Sequence, residues 1–398
     1  MCKLLILPSY LVKTRQEILT KVDLGMYRIS NFQIYCLLLI SVGPIAFLEQ
    51  PKRLALLIYH NAWLASLAAI IPGIFIVMMF SYLIRKSRNP FPYLLEEYLG
   101  KIGGRVLAFI YVLVFLVTAG FTLSLFTNFV EINVLPGTPI SVFIVALLFL
   151  GYVAIKNGFE NFARLCEIIV MVGFPFSIGI VLLAATQNVD MGNLLPLGYM
   201  DLTDFGLAVI STTSILGRLF PILTIAYFSN HPSGVHSIMV KVLFSYILLM
   251  VLPSLAITLV YGGIASGMLV FPAFSLVRLI DISEFITNVD ILFIGIWITG
   301  IVGAFTIFWY MACLTMQQVF NLKTYDFLAA PSSLIIAVLS LIIGPNIMVL
   351  KIFNQQIIIG IYLLFFLLIP FLLFIMALFK PDKPVDASPN KDTSTLIM

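Results

Sequence analysis

The sequence predicts an all-α integral membrane protein with ten transmembrane helices. Of its 398 residues, 61% are hydrophobic and 10% are charged, whereas a typical soluble domain has about 25% charged residues. A chain this apolar cannot cover its surface with polar side chains, so lipid must be its solvent. Apolar stretches also recur along the chain, each close to the roughly 20 residues that a helix needs to cross a hydrocarbon core.

Ten such stretches can be assigned, and we call them the first to the tenth predicted spans. The fourth and the ninth are short. In order, they cover residues 30–47, 62–84, 106–130, 140–155, 163–185, 205–228, 242–264, 291–319, 333–347 and 357–379.

The predicted transmembrane domain, residues 30–380, lies between two terminal segments. Residues 1–29 are predicted to form a cytoplasmic amphipathic and basic segment. Residues 381–398 are rich in proline, charge, Ser and Thr, which predicts a disordered cytoplasmic tail. Both termini are placed inside because most of the 22 basic residues then fall in cytoplasmic connections, where lysine and arginine are enriched.

Two connections have the pattern of helices that lie along the membrane surface. Residues 91–105 combine an apolar stripe with Glu97 and Lys101, which are one helical turn apart. Residues 271–286 repeat a polar side chain at every third position on one face. Both patterns predict interfacial helices. The two connections are five spans apart and on opposite sides of the membrane, which indicates two inverted halves.

The first and sixth predicted spans contain corresponding interruptions. The sixth contains Gly217 and, four residues later, Pro221, and the first contains Ser41, Val42, Gly43 and Pro44. Glycine weakens a helix, and proline leaves one carbonyl without its donor. Corresponding interruptions in two inverted halves indicate a transporter-type binding site at mid-membrane. The alternative is a pair of ordinary proline kinks, since proline is common in membrane helices.

Arg218 lies near the middle of the sixth predicted span. A charge at that depth costs at least about 2.5 kcal/mol on insertion scales, so it should face a cavity or a carboxylate. One interpretation is that Arg218 senses a bound ligand or a gating partner. The other is a fixed ion pair, with Glu49 or Glu131 as the candidate partner.

A row of hydroxyl groups precedes Arg218. These side chains could bind a polar ligand, or they could bond to the carbonyls of their own helix, which is the commoner arrangement. The interruption favours a ligand, because an opened helix exposes peptide groups that can hold a carboxylate and an ammonium. The row consists of Ser211, Thr212, Thr213 and Ser214.

Motifs for other chemistry are absent from the sequence. The three histidines and four cysteines have no metal-ligand spacing, and no disulfide framework is expected. There is no G-x-x-x-x-G-K-[ST] phosphate loop. We therefore predict that the protein is not an enzyme and needs no cofactor. We also predict no nucleic-acid partner, because the basic residues lie between apolar runs rather than in one patch.

Several short stretches, taken in order and spacing, are similar to those of one family. They run over residues 27 to 380, and the sequence resembles the spore germination permeases. These are the B subunits of Ger-type germinant receptors, within the amino acid–polyamine–organocation transporter superfamily. The stretches include Y-R-I-S-N-F-Q (27–33), N-A-W-L (61–64), E-Y-L-G-K-I-G-G (97–104), L-P-G-T-P-I (135–140), N-G-F-E-N-F-A-R (157–164), N-L-L-P (193–196), F-P-A-F-S-L-V-R-L-I-D-I-S-E-F (271–285) and I-G-I-W-I (294–298).

The resemblance implies the LeuT-like fold of two inverted five-helix repeats, in the inner membrane of a bacterial spore. It also implies assembly with A-type and C-type receptor subunits. A small germinant, often an amino acid, would bind at the midplane. By analogy with that fold, further lining residues would come from the third and eighth spans, namely Thr118, Gly120, Thr122, Trp297 and Thr299.

Two positions depart from the family pattern. The family often has an acidic residue and small residues near the first-span interruption, where this chain has S-V-G-P. It also tends to have an acidic residue in the sixth span, close to Gly217 and Arg218 of this chain. A reversed charge there would change which ligand is preferred.

Three functions are compatible with this pattern. The first is a receptor subunit that binds a germinant and signals through partner subunits. The second is a secondary transporter that moves an amino acid with H⁺ or Na⁺. The third is a structural or ion-conducting subunit with a vestigial pocket. The fold alone cannot separate them, because function depends on sites rather than on folds.

Overall fold

The computed structural model describes residues 29–87, 89–186, 189–229, 234–280 and 289–380. Residues 1–28 and the predicted tail, 381–398, lie outside the described residues. Within the described ranges the chain forms helices and turns, with one isolated bridge between Ile29 and Ser229. The all-α prediction is confirmed.

The described part of the chain contains sixteen α-helical segments. Short 3₁₀ turns and two π-helical segments, Asn354–Ile358 and Tyr362–Leu368, join some of them. In chain order the α-helices are α1 Asn31–Ile58, α2 Ala62–Ala68, α3 Ile70–Ser87, α4 Phe91–Asn133, α5 Ile140–Lys156, α6 Phe159–Ala184, α7 Leu202–Leu216, α8 Ile222–Ile225, α9 Val235–Tyr261, α10 Gly263–Met268, α11 Pro272–Arg278, α12 Val289–Phe320, α13 Ala329–Ile343, α14 Ile347–Phe353, α15 Ile359–Ile361 and α16 Ile369–Phe379.

Eight segments of the described chain are long and apolar enough to cross a membrane. One of them, Asn31–Ser87, has 57 residues and contains both the first and the second predicted spans. The shorter apolar helix α5 corresponds to the fourth. The protein is thus an integral membrane protein with several spans, and the count of ten stays a prediction.

The predicted surface helix at residues 91–105 is joined to the third span within α4. Its backbone leaves the helical region at Gly100, with φ 77° and ψ 170°. Glycine populates positive φ without steric cost, so the chain turns there from the surface segment into the span. Part of the second predicted surface helix is helical, as α11, and its position at the membrane surface stays a prediction. The predicted residues 281–286 lie outside the described residues.

The segments differ in how much of their surface is buried. The sixth-span segment, Leu202–Phe228, is mostly buried, whereas α6 and α13 expose most of their apolar residues. Helix α1 packs against α6, α7, α9 and α12, and α4 packs along α12 and α13. The sixth-span segment, α1 and α4 therefore lie near the centre of the bundle, where protein rather than lipid surrounds their polar side chains.

The prediction of an interrupted first span is wrong. Helix α1 runs without a break from Asn31 to Ile58, with Pro44 and Pro51 inside it. Pro44 has no N–H to donate to the Ile40 carbonyl. This removes only one of the many backbone hydrogen bonds of α1. Buried neighbours support the rest of the helix, as they do for many prolines in membrane helices.

Candidate functional site

The sixth predicted span changes from α-helix to a 3₁₀ turn where the sequence predicts an interruption, although the backbone angles of Gly217, Phe220 and Pro221 stay in the helical region. We call this turn the break. Helix α7 ends at Leu216, Gly217–Leu219 form a 3₁₀ turn, and α8 begins only at Ile222. The turn is tight: the Phe220 N–H donates to the Gly217 carbonyl at 2.9 Å. Added to Gly217, a Cβ atom would be 3.0 Å from the Cβ of Phe366. The break therefore packs closely against the π-helical segment Tyr362–Leu368.

Arg218, within this break, is completely buried, with 0% relative exposure. Its Nε donates to the Ser41 carbonyl at 2.6 Å, and its Nη1 donates to the Tyr362 hydroxyl at 2.6 Å. In return, the Ser41 hydroxyl donates to the Arg218 carbonyl at 3.1 Å. The broken sixth span is thus joined to α1 and to the tenth predicted span.

The second terminal nitrogen of Arg218 reaches two further helices. Nη2 donates to Thr122 Oγ1 at 3.2 Å and to the Ala304 carbonyl at 3.4 Å. The ring of Phe308 lies 4.4 Å from the guanidinium carbon, which is the geometry of a cation–π contact. We call this set of residues the arginine cluster: Ser41, Thr122, Arg218, Ala304, Phe308 and Tyr362.

Of the two interpretations of Arg218, the fixed ion pair with Glu49 or Glu131 is wrong. Among the described residues, the hydrogen-bond partners of Arg218 are two carbonyls and two hydroxyls. Glu49 instead accepts a hydrogen bond from Asn354 Nδ2 at 2.8 Å. A buried charge must be compensated, and here hydrogen-bond dipoles and an aromatic ring compensate it rather than a counter-charge.

The hydroxyl row of α7 is mostly occupied within its own helix. Thr212 donates to the Ala208 carbonyl, Thr213 to the Val209 carbonyl, and Ser214 to the Ser211 carbonyl, at 2.7 to 3.1 Å. This is the back-bonding that the sequence left open as an alternative. Ser211 is different, because its hydroxyl points to Gln50 Oε1 at 3.4 Å.

The residues inferred by analogy on the third and eighth spans do not line a single site. Thr118 donates to the Val114 carbonyl at 2.8 Å, and Thr122 belongs to the arginine cluster. Gly120 faces α13: an added Cβ would be 3.0 Å from Leu339 Cβ. Thr299 is exposed. Only part of this set therefore lies near Arg218.

Three predicted residues line the same cavity, which we call the apolar chamber. Gly43, Pro44 and Trp297 contribute to its walls, while Val42 is buried in the core. The chamber lies between α1, α6, α9 and α12 and has a cavity volume of about 60 Å³. Its lining is Leu39, Ile40, Gly43, Pro44, Phe47, Ile169, Val170, Gly173, Phe174, Ser177, Leu249, Ile296, Trp297 and Gly300.

Trp297 brings one polar atom to the wall of the apolar chamber. The residue is 5% exposed, and its Nε1 has no hydrogen-bond partner among the described residues. The Ser177 hydroxyl already donates to the Gly173 carbonyl at 2.7 Å. The Ile40 carbonyl lacks its helical donor, because residue 44 is proline. Two residues that line this otherwise apolar cavity thus carry a donor without a partner and an under-satisfied acceptor.

A polar chamber lies beside the second half of α1 and was not foreseen from the sequence. It consists of two small adjacent cavities, of about 20 and 10 Å³, that share Glu49, Arg53 and Asn354 as lining. Ser214 and Tyr362 also border it. The polar run Asn354-Gln355-Gln356, at the start of the tenth span, is the sequence signal that could have indicated it.

Comparison with known families decides the assignment. A sequence profile described as "Spore germination protein" matches residues 28–348. The chain belongs to this family. It is 24% identical over 371 residues to spore germination protein KB of Bacillus subtilis (strain 168), covering 89% of this chain and 96% of that protein. It is also 25% identical over 235 residues to spore germination protein YndE of the same organism, covering 56% and 62%.

Solved transporter structures share the fold of this spore germination protein. MHP1, a nucleobase-cation-symport-1 family transporter in a closed conformation with bromovinylhydantoin bound, matches with TM-score 0.58 and 14% identity, covering 90% of this chain and 91% of MHP1. A Na⁺-coupled sialic acid symporter matches with TM-score 0.60 and 12% identity, covering 92% and 82%. The predicted LeuT-like fold is confirmed. Family and fold together support a membrane germinant-receptor subunit or a transporter-like role.

Proposed function

We propose that this chain is the membrane subunit of a spore germinant receptor and binds a small germinant, an amino acid or a similar molecule, in the apolar chamber. One observation carries the proposal. A single turn of α1 borders both the chamber and the arginine cluster: Gly43 and Pro44 line the chamber, and the Ser41 carbonyl accepts from Arg218. A ligand that contacts this turn acts directly on the cluster.

The chamber suits a ligand with an apolar side chain and few polar groups. Its walls are mainly aliphatic and aromatic, so burial of apolar ligand surface would drive binding. The free Nε1 of Trp297 can donate to a ligand oxygen, and the Ile40 carbonyl can accept from a ligand nitrogen. An uncompensated donor is costly to leave buried, so these two groups favour a ligand that satisfies both.

The arginine cluster offers a route from ligand to partner subunits. Its bonds join α1, α4, the sixth-span break, α12 and the π-helical segment Tyr362–Leu368. A shift of the Ser41 carbonyl weakens one of the shortest bonds and changes how the other helices are held. The ligand can move this equilibrium only by its differential affinity for the two arrangements. A-type and C-type subunits in the spore inner membrane would respond to the change.

The alternative is a secondary transporter coupled to H⁺ or Na⁺, because one structural neighbour is Na⁺-coupled. In transporters with broken helices, exposed backbone carbonyls coordinate the coupling ion. Here the guanidinium of Arg218 already occupies the carbonyls of Ser41 and Ala304. The fixed positive charge of Arg218 would repel a Na⁺ ion or a proton at this place. This supports the receptor role over ion-coupled transport.

We therefore expect germinant binding to be independent of Na⁺. Binding of radiolabelled amino acids to the purified full-length protein is measured in NaCl and in choline chloride at equal ionic strength. Because Arg218 supplies the positive charge, the two dissociation constants should agree within about twofold. A tenfold loss of affinity in choline chloride would favour Na⁺ coupling instead.

Gly43→Trp tests the location of the germinant. A Cβ atom at Gly43 meets Leu249 Cδ1 at an ordinary 3.4 Å, so the backbone tolerates a side chain, but an indole would fill the chamber. We expect germinant affinity to fall at least about tenfold, or 1.4 kcal/mol. Gly179→Trp is the matched control, because Gly179 is an exposed helical glycine with open space around it. Unchanged binding in Gly43→Trp would exclude the apolar chamber.

Three measurements distinguish the receptor, transporter and structural roles: ligand binding, solute uptake and spore germination. Purified protein is screened for saturable binding of amino acids and sugars, and the same protein in liposomes is assayed for uptake. Binding without uptake, together with co-purification of A-type and C-type subunits, is expected for a receptor. Uptake would support the transporter, and spores whose germinant dose dependence is unaffected by chamber variants would support a structural subunit.

A further inference from the structure

The polar chamber carries an excess of positive charge. Its two cavities are lined by three basic side chains, Lys52, Arg53 and Lys351, and by one carboxylate, Glu49. Each of these residues is only partly exposed. Like charges held together at reduced exposure repel each other more strongly than in bulk water, so an anion in the chamber would relieve that repulsion.

The charged groups of the chamber are unequally satisfied. Glu49 accepts from Asn354 at 2.8 Å, and Lys52 Nζ donates to the Leu269 carbonyl at 2.5 Å. Within the described part of the chain, Arg53 makes no hydrogen bond and no ion pair within 4.0 Å, although Glu49 lies one helical turn before it. The guanidinium of Arg53 thus keeps its planar set of donors available.

A second, independent feature lies in the wall of the same chamber. Gln50 is 1% exposed and lines the cavity that also contains Arg53. The Gln50 amide lies near the Tyr246 hydroxyl, but its Nε2 makes no hydrogen bond of acceptable geometry within 3.5 Å among the residues that the structure describes. A buried amide donor without an acceptor is costly. It therefore marks a position where an acceptor atom would be favourable.

We propose that the polar chamber is a binding site for a small carboxylate anion. The fork of Arg53 matches the two oxygens of a carboxylate, Lys351 adds a second positive charge, and Gln50 Nε2 donates a third hydrogen bond. Glu49 is held by Asn354 and excludes ligands with a second negative charge from that wall. This site is separate from the apolar chamber and does not depend on the germinant proposal.

The arginine cluster connects this site to the helices that surround the apolar chamber. Tyr362 borders the polar chamber, and its hydroxyl accepts from Arg218 at 2.6 Å. An anion beside Tyr362 therefore acts on the same hydrogen-bond network as a ligand at Gly43, but from the other side.

The test uses full-length protein in phosphatidylcholine nanodiscs and equilibrium dialysis with ¹⁴C-acetate at constant ionic strength. We expect one saturable site per chain, with affinity at least tenfold lower in Arg53→Gln and several-fold lower in Gln50→Leu. Arg105→Gln is the matched control, because Arg105 is a half-exposed arginine paired with Glu96 at 2.9 Å outside the chamber. Its affinity for acetate should be unchanged. If Arg53→Gln does not fold, the neutral change Gln50→Leu still decides the matter.

Several results would overturn the proposal. One is the absence of saturable acetate binding, and another is equal affinity in wild-type protein and in a folded Gln50→Leu or Arg53→Gln variant. Binding of ³²P-phosphate without acetate binding would refute the carboxylate assignment. Loss of acetate binding when the nanodiscs contain phosphatidylglycerol would assign the cations to a lipid headgroup instead.

Discussion

Spores that carry Arg218→Ala are expected to lose their germination response at germinant concentrations that saturate the wild type, while the protein still inserts into the membrane. The change removes four hydrogen bonds and leaves two buried carbonyls, of Ser41 and Ala304, without this donor. A hydrogen bond to a charged group contributes about 1.5–3 kcal/mol. Coupling between the chamber and the rest of the bundle should therefore fail, and the measurement is a germinant dose–response curve with protein levels checked by immunoblot.

Three further variants separate the roles of the arginine. Arg218→Lys keeps the charge but cannot reach Ser41, Thr122 and Tyr362 together, so we expect an intermediate loss of sensitivity. Tyr362→Phe and Thr122→Val each remove one acceptor and should have smaller effects. Arg164→Ala is the control, because Arg164 forms an exposed pair with Glu160 at 2.7 Å. An unchanged dose dependence in Arg218→Ala would mean that the cluster has no part in signalling.

Gly104→Ala is expected to be strongly destabilising for a change that adds a single methyl group. Gly104 follows the turn at Gly100, and an added Cβ would be 2.5 Å from both the amide nitrogen and the Cα of Glu96. The clashing backbone atoms of Glu96 cannot move aside by a rotamer change as a side chain can. The surface segment would therefore have to move away from the third span. Overpacking of this kind costs about 1–3 kcal/mol or more. A fall in the thermal unfolding midpoint of purified protein would reveal it.

The adjacent glycine provides the control for this substitution. An added Cβ at Gly103 meets only Leu99 Cβ, at an ordinary 3.6 Å, and alanine stabilises a helix by up to about 1 kcal/mol relative to glycine. We therefore expect Gly103→Ala to be neutral or slightly stabilising. Equal unfolding midpoints for the two alanine variants would show that the surface segment is not packed as described.

Much of the architecture could be predicted from local sequence. Apolar length indicated a membrane protein, and the Gly-Pro pattern near residues 217–221 correctly located the break in the sixth span. The same reasoning failed at residues 41–44. A single proline removes one hydrogen bond, and whether a helix then opens depends on what surrounds it, which a local pattern does not contain.

The candidate site was only partly predictable. Arg218, Gly43 and Trp297 were selected as lining for one pocket, but the structure divides them between a closed cluster and an apolar chamber. The partners of Arg218 lie on four other segments, and two of them are main-chain carbonyls. No residue type at those positions signals that role, so the alternative of a carboxylate partner was wrong. Likewise Arg53 and Gln50 become notable only because they line adjacent cavities, one of which Lys351 also lines.

The sequence by itself determined that this chain is solvated by lipid, that it is helical and that one span near its middle is broken around a charge. These follow from composition and from the covalent limits of glycine and proline, which act locally. Only the tertiary structure decided what neutralises that charge and where cavities remain. Those outcomes depend on contacts between residues far apart in the chain, such as Ser41 with Arg218 and Arg218 with Tyr362.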